Sequence, residues 1–514
     1  MHKKKFKDIY TIMCENCERF GDKIYIESVD QEKNINFYQL NNYCNKVANF
    51  LKDQGIKKDN KVSLIGKNSI ETMIIFFGVL KYGAIINPIN VEESKENIYR
   101  ILNVVKPKLV IYDKEMAFEQ KRYRAYSWLR FSNFDIKKRL KNEFFSFLKD
   151  YESIFQSPIG NRDDIAEIVF TSGTTAIPKG VVISREGFFY MVEELVDKLK
   201  ITEKDRILEY RAYSWASTQL LSIMSSMSTG ATLVLAREFS RSRFPLWLKK
   251  YNITISVGVP TVINMLINRP IPLHRKDVPS LKFVTSSSAP LSIESHKTFE
   301  KLYDIPINQM AGMTEAGWMI GNPPEKRKIG SVGTAFKYKE ITFLNERRER
   351  CNVGEEGEMV VKGKSMGVGY IEENGEIAKF PEEGFLTGDL GYEDSNGYVY
   401  FSGRKKELII RGGVNISPVE ITNRLKEHPY VKEAATIGVP DKIYGEEIAC
   451  FIVPKPGHKV EIENVVNHCR GTLPEFKIPK YIYFVKQIPK TERGKLMKSD
   501  LIKMVYLENG SIVP

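Results

Sequence analysis

The hydrophobic positions of this chain alternate between the helical and the strand period through most of its length. Leu40, Cys44 and Leu51 recur at the spacing of one helix face, and the helix that they predict ends at Gly55. Short apolar runs between such helices predict strands, and their regular alternation indicates a doubly wound α/β sheet. The predicted elements are strands at 61–65, 84–89, 108–112, 168–170, 181–183, 231–235, 253–257 and 281–285 and helices at 70–82, 93–104, 187–199, 243–251 and 261–268.

The pattern changes near Gly330. Short β runs separated by glycine follow, such as KEITFL and GEMVVKG, and predict a compact β subdomain at about 330–405. Beyond Arg404 the pattern predicts a separate α+β unit of about 100 residues, an ordinary domain size. Its predicted elements are strands at 408–410, 433–439, 447–453 and 481–485 and helices at 418–427 and 461–472. Between 113 and 163 the pattern is weak and charged, and it predicts no element.

Composition is that of a soluble globular protein. The chain has 514 residues, of which 42% are hydrophobic and 27% charged, and this length allows two to four domains of about 100–200 residues each. A net charge of +13 would suit an acidic partner, but Lys and Arg are spread along the chain, which favours anionic small substrates over nucleic acid. We expect no membrane span, because the longest apolar run, 73–80, is too short for one.

Six cysteines are scattered along the chain, at 14, 17, 44, 351, 450 and 469. Cys14 and Cys17 form a C-x-x-C, but no second pair follows at zinc spacing and no thioredoxin-like strand precedes them. This favours core thiols of an N-terminal helix over metal binding or redox chemistry. Cysteine usage of this kind suits a reducing compartment, and no apolar signal-peptide core is visible. We therefore expect a cytoplasmic protein.

The stretch 168–184, IVFTSGTTAIPKGVVIS, carries the first candidate chemistry. Two apolar runs flank small and hydroxyl residues, which predicts a strand, a loop and a second strand. Glycine lets backbone N–H groups approach a phosphate, hydroxyls add donors and a lysine adds charge, so the loop suits a triphosphate. Pro178 and Gly180 flank the lysine, which excludes a Walker A loop. The alternative, a solvated linker, is disfavoured by the apolar flanks. The candidate phosphate ligands are Thr171, Ser172, Gly173, Thr174, Thr175 and Lys179.

This stretch resembles the adenylate-forming superfamily, which includes acyl- and aryl-CoA ligases, peptide-synthetase adenylation domains and luciferases. The family signature has the form T-S-G-T-T-G-x-P-K-G, and the sequence departs from it at Ala176, where glycine is usual. If that position needs a positive φ, alanine costs about 1 kcal/mol.

The resemblance implies that the protein activates a carboxylic acid with ATP as an acyl-AMP, releases pyrophosphate and transfers the acyl group to a thiol. The cofactors that it implies are ATP, Mg²⁺ and coenzyme A.

A second match is MAGMTEAGW, which resembles the family motif Y-G-x-T-E. The resemblance assigns Gly312, Met313 and Thr314 to ATP and Glu315 to Mg²⁺, a cation that usually takes only one or two protein carboxylates. The alternative for Glu315 is an acid at the start of a helix. Ala311 stands where the family has an aromatic residue that stacks on adenine, and such stacking contributes about 1–3 kcal/mol.

Later motifs supply the other charged residues of the implied ATP site. FLTGDLGYEDSNGYVYFSGR resembles the family's T-G-D and G-R elements. Asp389 is therefore expected to accept hydrogen bonds from the ribose hydroxyls and Arg404 to contact ribose or phosphate, and a turn aspartate is the alternative for Asp389. PKTERGKLMK resembles the signature P-x-T-x-x-G-K, which makes Lys495 the implied adenylation catalyst, together with Thr314 and Lys179. From composition alone, Lys495 is one more surface lysine.

KKELIIRGGVNISPVE resembles the hinge and glycine loop of the CoA-ligase branch. Lys406 aligns with the hinge between a large N-terminal domain, 1–405, and a small mobile C-terminal domain, 406–514, which is expected to rotate between two poses. Gly412 and Gly413 would then line the passage for a pantetheine arm, because only glycine permits so close an approach. A plain glycine-rich turn is the alternative.

The acid pocket is expected between the phosphate-loop region and residues 281–320. Trp215 is the candidate wall residue, with core packing as the alternative. Ser287 and Ser288 stand where many relatives have glycine, which predicts a shorter or more polar floor than a long fatty acyl chain needs. Glu209 stands too early in the sequence to pair with an ammonium group, so an α-amino acid is disfavoured.

The thiol acceptor is expected to be coenzyme A, because the RGGVNISPVEI block looks more like CoA ligases than peptide-synthetase domains. The first alternative is the phosphopantetheine of an acyl carrier protein, an acidic partner that a basic rim would attract. The second is a non-catalytic nucleotide-binding relative, which the retained motif residues disfavour.

Overall fold

The computed structural model describes most of the chain, namely residues 6–116, 118, 126–132, 143–156, 160–171, 178–470, 472–490 and 496–508. The helices are α1 Ile9–Phe20, α2 Phe37–Asp53, α3 Ile70–Tyr82, α4 Lys95–Val105, α5 Phe144–Phe147, α6 Arg185–Leu199, α7 Ala216–Thr218, α8 Ser225–Thr229, α9 Phe244–Lys250, α10 Pro260–Asn268, α11 Ile293–Tyr303, α12 Pro418–Lys426, α13 Ile462–Arg470 and α14 Lys498–Glu508.

The strands alternate with these helices up to about residue 310 and then follow one another. They are β1 Ile24–Ser28, β2 Lys33–Asn36, β3 Lys61–Ile65, β4 Ile85–Ile89, β5 Leu109–Asp113, β6 Ser127–Phe131, β7 Ile165–Thr171, β8 Lys179–Ser184, β9 Arg206–Glu209, β10 Thr232–Leu235, β11 Ile255–Ser256, β12 Phe283–Ser286, β13 Ile307–Met313, β14 Gly317–Gly321, β15 Thr334–Ala335, β16 Lys339–Leu344, β17 Gly357–Gly363, β18 Gly369–Ile371, β19 Ile377–Lys379, β20 Phe385–Glu393, β21 Val399–Arg404, β22 Ile409–Arg411, β23 Val414–Ile416, β24 Val431–Asp441, β25 Gly445–Pro454 and β26 Tyr481–Phe484.

Local signals explain where the buried helix α3 begins and ends. The Ser69 side chain accepts a hydrogen bond from the backbone N–H of Thr72 at its N-terminus, and Gly83 ends it with a φ of 98°. Because α3 is apolar on nearly all sides, it lies inside the core rather than on the surface.

Within the described residues, the strands form four sheets. Their strand orders are β15-β14-β13-β12-β11-β9-β10-β1-β2, then β19-β18-β8-β7-β4-β3-β5-β6, then β16-β17-β20-β21, and finally β23-β22-β25-β24 with β26 beside β25. In the second sheet, β3, β4, β5, β6 and β7 are parallel, and β8 is antiparallel to β7. Helix α3 connects β3 to β4, and helix α4 connects β4 to β5. The predicted fold class is confirmed: large α/β sheets and a β subdomain are followed by an α+β C-terminal part.

Segment 330–405 divides between three of these sheets. β16, β17, β20 and β21 form a separate antiparallel sheet, whereas β15 pairs with β14, and β18 pairs with β8. The pairing of β18 places its side chains beside the strand that follows the predicted phosphate loop.

The hydrophobic side chains from Ile409 onward form cores of their own. One cluster contains Ile409, Leu425 and Ile448, and a second contains Phe451 and further residues of β24, β25 and α14. Neither shares a residue with the core of the two large sheets. None of the helices among the described residues combines the length and the hydropathy that a membrane span needs.

Candidate active site

β7 and β8 bring the two ends of the predicted phosphate loop together. They are antiparallel neighbours, and Thr171 stands directly opposite Lys179 at the loop end of the ladder. Thr171 is half-buried and Lys179 is exposed, so the lysine is accessible to an anionic ligand. The two predicted strands are present, while Ser172, Gly173, Thr174 and Thr175 lie outside the described residues.

Tyr370 joins the phosphate-loop lysine to the predicted metal ligand. Lys179 Nζ lies 4.9 Å from the centre of the Tyr370 ring, a cation–π distance. The Tyr370 hydroxyl donates to Glu315 Oε1 at 2.6 Å. Burial and the neighbouring Glu315 raise the pKa of Tyr370 well above its ordinary value, so the hydroxyl keeps its proton. The structure thus brings Lys179 and Glu315 together around one ring.

The residues of the MAGMTEAGW motif form the tip of the β13–β14 hairpin. Gly312 and Met313 end β13, and Thr314 and Glu315 lie in the turn. Gly312 has no room for a side chain, because a Cβ there would lie 2.4 Å from the Gly317 carbonyl oxygen. Glu315 is only 8% exposed. The alternative of a helix-start acid is therefore wrong for Glu315, which belongs to a hairpin turn.

Asp389 and Arg404 face each other across β20 and β21. Arg404 Nε donates to Asp389 Oδ1 at 2.7 Å. Burial raises the pKa of Asp389, and the charge and hydrogen bond of Arg404 oppose that rise. Because Asp389 lies within a strand, the alternative of a turn aspartate is wrong. Beside the pair is an open cleft, which is lined by Thr387, Gly388, Arg404, Lys405 and Lys406.

A row of aromatic rings connects the two halves of the site. Tyr370 packs edge-on against Phe380 with 5.0 Å between ring centres, and Phe380 packs against Phe385 at 4.9 Å. Phe385 begins β20, the strand that carries Asp389. The ring contacts therefore link the Lys179–Tyr370–Glu315 group to the start of the strand that carries Asp389.

The candidate acid-pocket residues differ in their exposure. Ser287 is 1% exposed, and its hydroxyl has no hydrogen-bond partner among the described residues. Ser288, by contrast, is exposed and takes a left-handed φ of 72°. Trp215 is half-buried directly before α7. Ser287 therefore lies in the interior and Ser288 at the surface, so the two do not line one pocket floor together.

Glu209 is held in a buried ion pair. Arg211 donates to its carboxylate from Nε at 3.0 Å and from Nη2 at 2.8 Å, and Ser222 Oγ donates at 2.5 Å. The Glu209 side chain is fully buried and that of Arg211 is 3% exposed. A carboxylate that is already paired in this way has no capacity left for a substrate ammonium group, so Glu209 gives an α-amino acid no partner.

Sequence reasoning missed a buried acid on β7. Glu167 is fully buried, and burial raises its pKa to about 8. The Gln219 amide approaches the carboxyl and opposes this rise, but the two do not reach hydrogen-bonding geometry. Gln219 begins a π-helical turn, Gln219–Met224, and such turns are frequent at functional sites. The signal that could have revealed Glu167 is a charged residue within an otherwise apolar strand.

The remaining predicted residues lie in the C-terminal part. Gly412 and Gly413 form the exposed turn between β22 and β23, with φ values of 57° and 83°. These left-handed φ values favour glycine whether or not a ligand passes, so they are also consistent with the alternative of a plain turn. Lys495 lies outside the described residues.

Two sequence profiles match the chain. The one described as AMP-binding enzyme matches residues 14–371, and the one described as AMP-binding enzyme C-terminal domain matches residues 420–495. The chain belongs to the AMP-binding enzyme family. The predicted membership of the adenylate-forming superfamily is confirmed, as is the prediction that the protein is an enzyme of its CoA-ligase branch.

Curated relatives of this AMP-binding enzyme match over nearly their whole length. The oxalate–CoA ligase of Arabidopsis thaliana is 32% identical and covers 98% of this chain and 99% of its own. The sulfoacetate–CoA ligase of Cupriavidus necator is 29% identical and covers 97% and 98%. The crystal structure of ATP-bound MatB from Rhodopseudomonas palustris has a TM-score of 0.88 at 24% identity and covers 97% of this chain and 99% of its own, a likeness in fold.

Proposed function

We propose that this enzyme activates a carboxylic acid with ATP and transfers the acyl group to the thiol of coenzyme A. The observation that carries this proposal is the convergence of Lys179 and Glu315 on Tyr370, packed against the strand of the Asp389–Arg404 pair. Full-length relatives whose names are CoA ligases support it.

In the proposed first step, a substrate carboxylate oxygen bonds to the α-phosphorus of ATP and the bond from that phosphorus to pyrophosphate breaks. Lys179 and the hydroxyls of the phosphate loop, beginning with Thr171, bind the departing phosphates. Thr314 donates to the α-phosphate, and Lys495 offsets the negative charge of the carboxylate and phosphate as they meet. Such electrostatic stabilisation is the main contribution that a protein makes to phosphoryl chemistry.

Glu315 fits the role of the Mg²⁺ ligand. Its carboxylate is buried at a hairpin tip and accepts a hydrogen bond from Tyr370, whose ring lies beside the phosphate-loop lysine. Among the residues that the structure describes, no group of three His, Cys, Asp or Glu side chains is arranged to hold a metal, which suits a cation bound by one carboxylate and by phosphates. When bound, Mg²⁺ would neutralise phosphate charge.

Asp389 would accept hydrogen bonds from the ribose hydroxyls, with Arg404 holding its carboxylate in place.

In the proposed second step, the thiol sulfur bonds to the acyl carbon, AMP leaves and the thiol proton passes to solvent. We infer that domain 406–514 rotates on Lys406 between the two steps. Its independent cores and the position of Lys406 in the cleft beside Arg404 support this inference. The exposed turn at Gly412 and Gly413 would border the path of the pantetheine arm.

We propose a short, polar acid as the substrate. The Ser287 hydroxyl is buried and has no hydrogen-bond partner in the described ranges, which supports a polar lining. Oxalate and sulfoacetate, the acids named for two relatives, are short and polar. The paired state of Glu209 disfavours α-amino acids.

Mass spectrometry of the products tests this proposal. The full chain is incubated with ATP, Mg²⁺ and coenzyme A over a panel of dicarboxylic, sulfonated, hydroxylated, aryl and long-chain acids. We expect AMP and one acyl-CoA in equal amounts from a short polar acid, and acyl-AMP when coenzyme A is omitted. A thioester formed only on a phosphopantetheinylated carrier protein would overturn the choice of acceptor. ATP binding without AMP formation from any acid would indicate a non-catalytic relative.

A further inference from the structure

Glu315 is a buried carboxylate that forms no ion pair with any residue that the structure describes. Across the described ranges, its one side-chain hydrogen bond comes from the Tyr370 hydroxyl, at 2.6 Å from Oε1. A buried carboxylate is costly unless a cation or several donors compensate it. The orientation of this carboxylate, and the oxygen that it offers to a cation, is therefore set by Tyr370.

The same tyrosine is placed next to Lys179 by the strand register. Tyr370 on β18 is directly opposite Val181 on β8, and Val181 points to the same face as Lys179 because side chains two apart on a strand share a face. Tyr370 and Lys179 are thus diagonal neighbours, close enough for a long side chain to cover the ring. Lys179 Nζ lies 4.9 Å from the ring centre accordingly.

We propose that Tyr370 is a positioning residue that sets the Mg²⁺ ligand and the phosphate-loop lysine for MgATP through two separable contacts. Its hydroxyl fixes Glu315 so that Oε2 remains for the metal. Its ring confines the flexible Lys179 side chain near the position that the phosphates will take, which lowers the ordering cost of binding. This inference rests on the proposed function.

Lys337, Tyr338 and Glu193 provide an internal control. Lys337 Nζ lies 4.9 Å from the centre of the Tyr338 ring, and the Tyr338 hydroxyl donates to Glu193 Oε2 at 2.8 Å. The two trios therefore share the cation–π contact and the tyrosine–carboxylate hydrogen bond at similar distances, and they differ in that Lys337 Nζ also pairs directly with Glu193 Oε1 at 3.5 Å. The Tyr338 trio joins α6 to the loop before β16 and includes no predicted ligand of ATP or Mg²⁺. Removal of the Tyr338 hydroxyl thus measures the effect of losing a tyrosine–carboxylate hydrogen bond away from the predicted ligands.

The experiment is calorimetric titration of ATP into the full chain, in Mg²⁺ and separately in EDTA. Tyr370→Phe keeps the ring and removes the hydroxyl, whereas Tyr370→Leu removes both, and Tyr338→Phe is the control. For Tyr370→Phe we expect Kd in Mg²⁺ to rise about tenfold, the scale of a hydrogen bond to a charged group, with Kd in EDTA nearly unchanged. For Tyr370→Leu we expect Kd in EDTA to rise as well, by about two- to fivefold, from loss of the cation–π contact. Tyr338→Phe should behave as wild type in both conditions.

The outcomes separate the two claims. If wild type binds ATP more tightly in Mg²⁺ and Tyr370→Phe shows the same gain, the positioning role of Tyr370 is wrong while the proposed function stands. If wild type gains nothing from Mg²⁺, or does not bind ATP, the proposed function itself is contradicted. If Tyr338→Phe weakens MgATP binding as much as Tyr370→Phe does, the effect of Tyr370 is a structural one and the inference is overturned. Thermal unfolding of each variant confirms that it is folded.

Discussion

Ala311 stands where the resemblance implies an aromatic residue that stacks on adenine. It lies on β13 opposite Ile320, directly before Gly312, and its methyl group packs against the apolar cluster of the β subdomain. The residue is half-buried, so a larger side chain can extend toward solvent. Adenine would therefore lose a stacking partner here in comparison with relatives that carry an aromatic residue.

Ala311→Tyr should tighten ATP binding. If the ring stacks on adenine and gains about 1 kcal/mol, Kd for ATP falls roughly fivefold. Calorimetry on wild type, Ala311→Tyr and Ala311→Leu checks this, because leucine adds bulk without an aromatic face and should not lower Kd. Unchanged or weaker binding by Ala311→Tyr would mean that another residue already covers the base.

At the residue scale, local motifs predict most of the candidate site. Lys179, Glu315, Asp389 and Arg404 each lie in a short distinctive stretch, and the structure places the first two around one ring and joins the other two in an ion pair. Tyr370 could not be predicted in this way. Its role depends on the pairing of β18 with β8, strands that are far apart in sequence and adjacent only after folding.

At the element scale, β7 combines a strand core with a buried acid. Glu167 lies on the same sheet face as Val169 and Thr171, because alternate residues of a strand share a face, and it faces Gln219 at the start of the π-helical turn. The folded-state pKa of Glu167, about 8, lies above its ordinary value near 4.5. As the pH rises from about 4.5 to 8, the unfolded chain releases this proton and the folded chain retains it, so folding loses stability across this window.

Glu167→Gln should remove this loss. We expect the difference in free energy of unfolding, variant minus wild type, to be larger at pH 8 than at pH 5 by a few kcal/mol. Urea denaturation at both pH values measures this difference. Glu96→Gln, at an exposed ion pair with Arg100, is the control and should show no comparable change with pH. A Glu167→Gln variant that parallels wild type at both pH values would show that Glu167 ionises inside the folded protein at little cost.

Predicted elements with a clear period match the structure closely. Helix 70–82 is Ile70–Tyr82, and helix 418–427 is Pro418–Lys426. The strand predicted at 253–257 is only Ile255–Ser256 in the structure. The prediction is too long because the apolar run extends beyond the residues that pair with neighbouring strands. β18 and β19 have only three residues each; β18 pairs with β8 and β19 pairs with β18, so no local period reveals them.

At the scale of the whole molecule, the predicted domain boundary at Lys406 lies beside the cleft that Arg404 and Lys406 line. The cores beyond Ile409 are built from that part alone, which is what independent movement of domain 406–514 requires. The sequence predicts this division from a change in pattern and from the resemblance, but it cannot predict that the segment from about 330 contributes strands to three sheets, since sheet membership is decided by long-range pairing.

The proposed formation of an acyl-AMP depends most directly on Lys495, the implied adenylation catalyst. The most direct measurement is exchange of labelled pyrophosphate into ATP that depends on an added acid, with wild type, Lys495→Ala and the surface control Lys503→Ala, whose side chain is 72% exposed. We predict exchange with one class of short polar acid for wild type and Lys503→Ala, and loss of most exchange in Lys495→Ala while ATP still binds within a few-fold. Exchange by Lys495→Ala at the wild-type rate, or its absence from wild type with every acid, would contradict the account.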